Sequence, residues 1–283
     1  MFRLRSLTRS LLTASALLAY AARADEVLSA PFRELAPGVQ VAPAAGLGGD
    51  AAWGARVVLI DPARARFRVR FDQQSPRLAE WRARFPAALA LLNGSFYSLD
   101  KRLRPTCDLI SAGRTEKGAG CRRTDALFFG ASSALGEAPR LMTSADFVPG
   151  RWNEALKSFP ALVHRGVPGC SGRLYCDEAS RTAAIAQLRD GRIALFASQW
   201  PAVRRKVARF LAEQLGAVEA VNLDGGPEVT LAVRGEKTEE CIATPGVPLP
   251  LVLVVEPSPT APATSAAAVA PDAPQSADAG AHH

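Results

Sequence analysis

Apolar positions fall mostly in short runs, the spacing of strands. Arg66–Phe71 alternates strictly, with Phe67, Val69 and Phe71 on one face and Arg66, Arg68 and Arg70 on the other. That arginine face reads as a solvated side of a sheet. Arg56–Ile60, Ala87–Leu92, Val218–Leu223, Val229–Val233 and Leu249–Val255 are aliphatic runs of the buried-strand type. Thr182–Leu188 and Arg192–Ala197 flank Arg189-Asp190-Gly191, a hairpin signal. Pro201–Leu215 departs from this pattern. Val203, Val207, Phe210, Leu211 and Leu215 share one helical face, and Arg204, Arg205, Lys206 and Arg209 share the other. Pro201 suits the first turn of that helix and Gly216 its C-terminal cap. Many strands and few helices in mixed order predict an α+β fold: one domain, with a mixed, mainly antiparallel sheet.

The two ends read differently. Arg3, Arg5 and Arg9 precede an apolar run from Leu11 to Tyr20, and Ala22-Arg23-Ala24 closes it. This is the layout of a secretory signal peptide over residues 1–24, and it predicts a periplasmic or secreted product. The run is shorter than the ~20 residues that a membrane-spanning helix needs. No second such run follows, so no transmembrane segment is expected after the signal is removed. The stretch from Asp25 to about Gly49 is rich in Gly, Pro and Ala and reads as surface loop. Gly46-Leu47-Gly48-Gly49 lacks the Lys-Ser/Thr of a phosphate loop. From Pro257 to His283 the chain is almost wholly Pro, Ala, Ser, Thr and Asp, and reads as a disordered tail. The folding domain is then 25–256.

Composition sharpens this picture. The net charge of +7 invites a nucleic-acid reading. Loss of Arg3, Arg5, Arg9 and Arg23 with the signal leaves 30 basic residues against 27 acidic ones, a balance of +3, and that reading fades. Three histidines, two of them His282 and His283, argue against a His-built zinc site. A Ser–His–Asp triad would have to use His164. In an oxidising compartment Cys107–Cys121 and Cys170–Cys176 are the expected disulfides, which leaves Cys241 over.

Three segments could carry chemistry. Ala220-Val221-Asn222-Leu223-Asp224-Gly225-Gly226 ends an apolar strand by presenting Asn222 and Asp224 just before two glycines. A carboxylate there sits well at a pocket rim, although Asp-Gly is also an ordinary hairpin turn. Leu91-Leu92-Asn93-Gly94-Ser95-Phe96-Tyr97 contains Asn-Gly, likewise a turn signal. Ser180-Arg181-Thr182 puts an arginine at a strand mouth, where its planar fork can clamp a phosphate.

Taken in order, Asn-Gly-x-Phe, Arg-Thr opening a central hairpin, and Asn-Leu-Asp-Gly-Gly after an amphipathic helix resemble the phosphodiester glycosidase family. Pro105, the Leu109–Arg114 stretch and Phe159-Pro160-Ala161-Leu162-Val163 resemble further segments of it. The resemblance runs from about Val57 to Val255. It implies a hydrolase that cleaves a sugar-1-phosphodiester in a glycan or envelope component and releases the sugar. The family pattern carries over to Asn93, Gly94, Arg181, Thr182, Asn222, Asp224, Gly225 and Gly226. Where members usually continue with Gly and small hydroxyl residues, this chain has Pro227-Glu228-Val229-Thr230. The leaving phosphate is already a stable anion, so the chemistry needs a clamp (Arg181), a carboxylate (Asp224) and, as in many glycosidases, a second one (Glu228). Asn93 and Asn222 would bond sugar hydroxyls or phosphate oxygens, and His164 would line the cleft. No cofactor is required, although Asp and Asn oxygens could hold a calcium ion. The second reading is a binding module that holds an anionic glycan on the same fold without cleaving it. Glu228 separates the two, according to whether it faces a pocket with Asp224 and Arg181 or blocks it.

Overall fold

A computed structural model describes residues 32–47, 54–98, 102–121, 124–170, 173–235 and 239–259. The signal at 1–24 and the tail beyond residue 259 lie outside them. Every strand pairing among the described residues is antiparallel.

Three sheets build the body. The largest has eight strands in the order Arg33–Ala36, Val39–Pro43, Ala55–Ile60, Ile193–Ser198, Ala183–Leu188, Ala217–Asn222, Ala161–His164, Val167–Pro168. A second, five-stranded sheet runs Glu239–Ala243, Leu231–Arg234, Ala90–Asn93, Leu251–Pro257, Ala65–Phe71. A third, also five-stranded, runs Arg140–Met142, Leu127–Ser133, Trp152–Ser158, Leu109–Ser111, Arg114–Glu116. All three share one core. Val58, Ile60, Ile185, Leu195 and Val221 meet Phe67, Val69, Leu92 and Leu253 from the second sheet, and Leu109, Phe129 and Leu156 from the third.

The alternate residues of the large sheet, Val57, Leu59, Ala184 and Phe196, face the other way onto Val207, Phe210 and Leu211. The helix that carries these runs Arg204–Arg209 and continues as a π-helical turn, Phe210–Gln214. Burying each of its large apolar side chains contributes about 2 kcal/mol. A shorter helix, Leu78–Arg84, covers the outside of the second sheet with Leu78 and Trp81. Both faces of these strands are therefore covered, which explains their continuous apolar runs.

Three boundaries differ from expectation. The helix begins at Arg204 and not at Pro201, because Ala202-Val203 pairs as a short strand with Ala179-Ser180. The segment after Asp25 is not all loop. Pro37-Gly38 turns the chain, with Gly38 at φ 78, and Val39 and Val41 pack into the core as a hairpin on the large sheet. The disordered tail does not begin at Pro257, because this residue pairs with Ala65 and the Ser258 N–H donates to Arg64 O. The third sheet also had no clear sequence signal. Gly130 sits within its Leu127–Ser133 strand, where a Cβ would come within 2.5 Å of the Trp152 indole.

The arginine stripe is paired rather than solvated. Arg66 and Arg68 meet Glu256, and Arg70 meets Glu154 at 2.6 Å. Glu154 is buried and also accepts the Val69 N–H at 3.1 Å and the Ala112 N–H at 3.2 Å, joining the second and third sheets. Glu154→Ala would strand a cation and two amides, and an expected cost of about 3–5 kcal/mol follows. Urea denaturation measures it, with Glu154→Gln expected to lose less. A loss for Glu154→Ala below 1 kcal/mol would show that the joint is not structural.

Candidate active site

Both sequence segments with a turn signal prove to be something else. Ala217–Asn222 and Leu231–Arg234 belong to different sheets, so Asp224-Gly225-Gly226 is not a hairpin turn but a crossover between sheets. Ala90–Asn93 pairs with Leu231–Arg234 and Leu251–Pro257 and not with the chain that follows Asn93-Gly94. The two crossovers meet. The Asp224 N–H donates to Gly94 O at 3.1 Å, and the Asn93 side-chain amide donates to Asp224 O at 2.8 Å. Asn93 Oδ1 in turn accepts the Thr230 N–H at 3.1 Å. Gly94 is required for packing, because a Cβ there would lie 2.2 Å from Leu251 Cγ.

Asp224 therefore sits on a backbone held from two sheets. Its Oδ1 accepts the Gly225 N–H at 2.9 Å. Burial, then the neighbouring charge of Glu228, push its carboxyl up to about 7 against an ordinary 3.8. The Gly225 amide and the Arg204 guanidinium pull the other way. Glu228 closes the short 3-10 turn Gly226–Glu228, entered through Gly226 at φ 67. Its Oε1 accepts the Tyr97 hydroxyl at 3.1 Å. Burial and the two carboxylates push the Tyr97 phenol far up, so it stays protonated and donates.

Two arginines flank this pair. Arg181 donates through Nη2 to Val229 O and Thr244 O, both at 2.8 Å, and its carbonyl accepts the Gly226 N–H at 3.0 Å. Its Nε is buried without a partner. Burial pulls its guanidinium down, while Cys241 and Glu228 act in the opposite sense. Arg204 belongs to the basic face of its helix, yet it is buried. It donates to Tyr175 O at 2.7 Å and Ser180 Oγ at 2.8 Å and lies 5.1 Å over the Tyr175 ring. Gly225 gives it room, since a Cβ there would lie 3.2 Å from Arg204 Nη2. Phe96 stacks on Phe159 at 4.6 Å and meets Tyr175 edge-on at 6.4 Å, which lines one side of the site with aromatic rings.

The two expected disulfides are present, Cys107–Cys121 and Cys170–Cys176, with Cys241 free and exposed. The first closes the loop 107–121, whose Ala119 and Gly120 N–H groups donate to Pro105 O and Thr106 O, next to the short strand that pairs with Tyr97-Ser98. The second closes the loop that carries Tyr175. Both brace the candidate site.

The structure brings together Asp224, Glu228, Arg181, Gly225 and Gly226. It adds Tyr97, Arg204 and Tyr175, which sequence reasoning did not single out. Arg204 carries no sequence signal, because its burial depends on a glycine and a tyrosine from other elements. Asn93, Asn222 and Thr182 are buried beneath the cluster, and Asn222 Oδ1 is buried without a hydrogen-bond partner. Thr182 exchanges hydrogen bonds with Ser198, and Asn222 reaches Phe159 O and Leu223 O. His164 is not part of the cluster. It pairs with Glu219 at the opposite end of the strand Ala217–Asn222, about 16 Å from Asp224 at the usual rise per residue. Among the described residues no group of three or more His, Cys, Asp or Glu side chains gathers in a way that could hold a metal ion.

A family model described as phosphodiester glycosidase matches residues 87–256, a span that holds the whole cluster. The chain belongs to the phosphodiester glycosidase family. It is a hydrolase of that family, and a glycan substrate fits it. Among solved structures, the catalytic domain of zebrafish N-acetylglucosamine-1-phosphodiester alpha-N-acetylglucosaminidase, auto-inhibited by its pro-peptide, aligns at 16% identity with a TM-score of 0.52, covering 71% of this chain and 76% of that one. A hypothetical protein from Synechocystis aligns at 15% identity and TM-score 0.51 over 81% and 61% of the two chains. A Burkholderia pseudomallei protein described as exported aligns at 14% and 0.53 over 72% and 74%. At these identities the likeness shows a shared fold. Comparison with curated proteins returns no match. No helix among the described residues is long and apolar enough to cross a membrane.

Proposed function

We propose that this phosphodiester glycosidase hydrolyses the bond between an anomeric carbon and phosphate in a sugar-1-phosphodiester. The coupled pair Asp224 and Glu228, with Tyr97 on Glu228, carries the reading. The phosphate leaves with the bonding electrons as a stable anion, so the protein need not protonate it. Water must instead be activated and the positive charge at the anomeric carbon supported. Asp224, with its carboxyl near 7, is a stronger base than an ordinary carboxylate and takes the proton of the attacking water. Glu228, held by Tyr97, supports the anomeric carbon, and Arg181 faces the phosphate. The water oxygen joins the carbon, the carbon–oxygen bond to phosphate breaks, and a free sugar and a phosphomonoester leave. Two disulfides fit an exported protein, and the leader at residues 1–24 supports export to the periplasm or beyond. No cofactor takes part in this reading.

The test is release of sugar from N-acetylglucosamine-1-phosphate methyl ester. Glu228→Gln is expected to slow release by about a hundredfold and to move the rate's pH midpoint below 7, because the like charge that holds Asp224 up is removed. No release by the unmodified protein from a panel of sugar-1-phosphodiesters would defeat the reading. It would favour the second one, binding of an anionic glycan on the same fold.

A further inference from the structure

Asn222 is fully buried, and its Oδ1 has no hydrogen-bond partner. Its Nδ2 donates to two carbonyls, Phe159 O and Leu223 O, which fixes the amide with its oxygen turned the other way. The backbone is fixed as well. The Asn222 N–H donates to Pro160 O at 3.0 Å, and Ser158 Oγ donates to Asn222 O at 2.6 Å. A buried acceptor held this firmly without a donor is costly, so a donor is expected at some stage of the protein's work.

The strand shows which group can be that donor. Val221 and Leu223 pack into the shared core, while Ala220 faces the helix side of the large sheet. The Leu223 N–H still donates to Ala183 O, and Gly225 is extended at φ −116 and ψ −170, so the alternation continues past the strand end. Asn222 and Asp224 therefore share the helix side, about 7 Å apart along the chain. Two short side chains leaning together span that gap. Arg204 comes from the helix on the same side, but its Nη groups are taken by Tyr175 O and Ser180 Oγ, and its Nε is itself unpartnered. Asp224 Oδ1 accepts the Gly225 N–H, which leaves Oδ2 to receive a proton. An ionised carboxylate has nothing to donate to Asn222, whereas a neutral carboxyl has an O–H.

We propose that Asn222 is a positioning residue whose Oδ1 accepts a hydrogen bond from the proton that Asp224 takes from water. The proposal rests on the glycosidase reading above and assigns the place where that proton is held. As water attacks, one of its O–H bonds breaks, its oxygen bonds to the anomeric carbon, and the proton bonds to Asp224 Oδ2. The new O–H points at Asn222 Oδ1. Once the sugar has left, the proton passes to solvent. A hydrogen bond from the neutral carboxyl favours that form. It therefore acts with burial and Glu228, and against the Gly225 amide and Arg204. Tyr97 and Arg181 reach the pair through Glu228, the first staying protonated and the second charged.

The experiment follows sugar release from N-acetylglucosamine-1-phosphate methyl ester against pH. Asn222→Ala removes the acceptor, and the midpoint of kcat/KM is expected to fall by about one pH unit from its place near 7. A loss of rate that is equal at every pH, with the midpoint unmoved, is what a merely structural contact gives and overturns the proposal. A second measurement needs neither that variant nor turnover. In proton NMR of the unmodified protein, the Asn222 side-chain amide signals are expected to move downfield as pH falls through 7, because an amide whose oxygen accepts a strong hydrogen bond has more polarised N–H groups. Signals that ignore pH, or that respond equally in Asp224→Asn, overturn the assignment. A response that depends on Asp224, with no sugar-1-phosphodiester hydrolysed, keeps the pair and removes the glycosidase reading instead.

Discussion

Asp224→Asn is expected to cut sugar release by about a thousandfold or more, because the amide cannot take a proton from water. In the unmodified protein kcat/KM should rise with pH through a midpoint near 7, where the Asp224 carboxyl ionises. The same substitution should raise stability, and the sign follows from proton counts. Folded, Asp224 keeps its proton to about pH 7; unfolded, it loses it near 3.8. Between those values the folded state binds more protons. The stability that this confers is complete below about pH 4 and lost as pH rises through 7. Asn has no such dependence. The advantage of Asp224→Asn should therefore grow from pH 4 and level off above 7, at up to about 4 kcal/mol. Urea midpoints at pH 4 and pH 8 measure it. Unchanged turnover, or an advantage that shrinks as pH rises, would remove Asp224 from its assigned role.

The second large effect belongs to Arg204, a positioning residue. Arg204→Met keeps the length of the side chain but removes the cation that helps hold Asp224 down. Its removal should lift the Asp224 midpoint above 7, opposite to Glu228→Gln. At neutral pH fewer molecules then hold Asp224 ionised, and sugar release should fall by about ten- to a hundredfold. Raising the pH should recover part of the loss, and Arg204→Lys should lose less than Arg204→Met. The pH profile is the decisive measurement. A uniform loss at every pH would mean that Arg204 acts only by holding the Tyr175 loop.

The aliphatic runs made most strands of the first two sheets legible, because both faces of those strands are covered and nearly every position is apolar. The third sheet was hidden, since its strands carry Gly130, Ser132, Glu154 and Ser158 among their apolar residues. Asp224 was legible from its place at a strand end before two glycines, and Arg181 from its place at a strand mouth. Glu228 was legible as a second carboxylate within reach. Tyr97 and Arg204 were not, because each reaches the site through contacts between distant segments. Asn93 and Asn222 read as ligands because an amide at a strand end is as well suited to a ligand as to a neighbouring backbone. In the structure their side-chain amides donate to the backbone carbonyls of Asp224, Phe159 and Leu223. The turn signals misled for a related reason: Asp-Gly and Asn-Gly favour tight turns locally, but the strands that follow pair elsewhere.

The disulfides link chemistry to the history of the chain. One bond closes the loop whose Ala119 amide holds Pro105, the partner of Tyr97, and the other closes the loop that carries Tyr175 beside Arg204. In a reducing interior neither tether exists, and the groups that tune Glu228 and Asp224 lose their anchorage. A newly made chain would then be a weak catalyst, and full competence would come only after four thiols are oxidised.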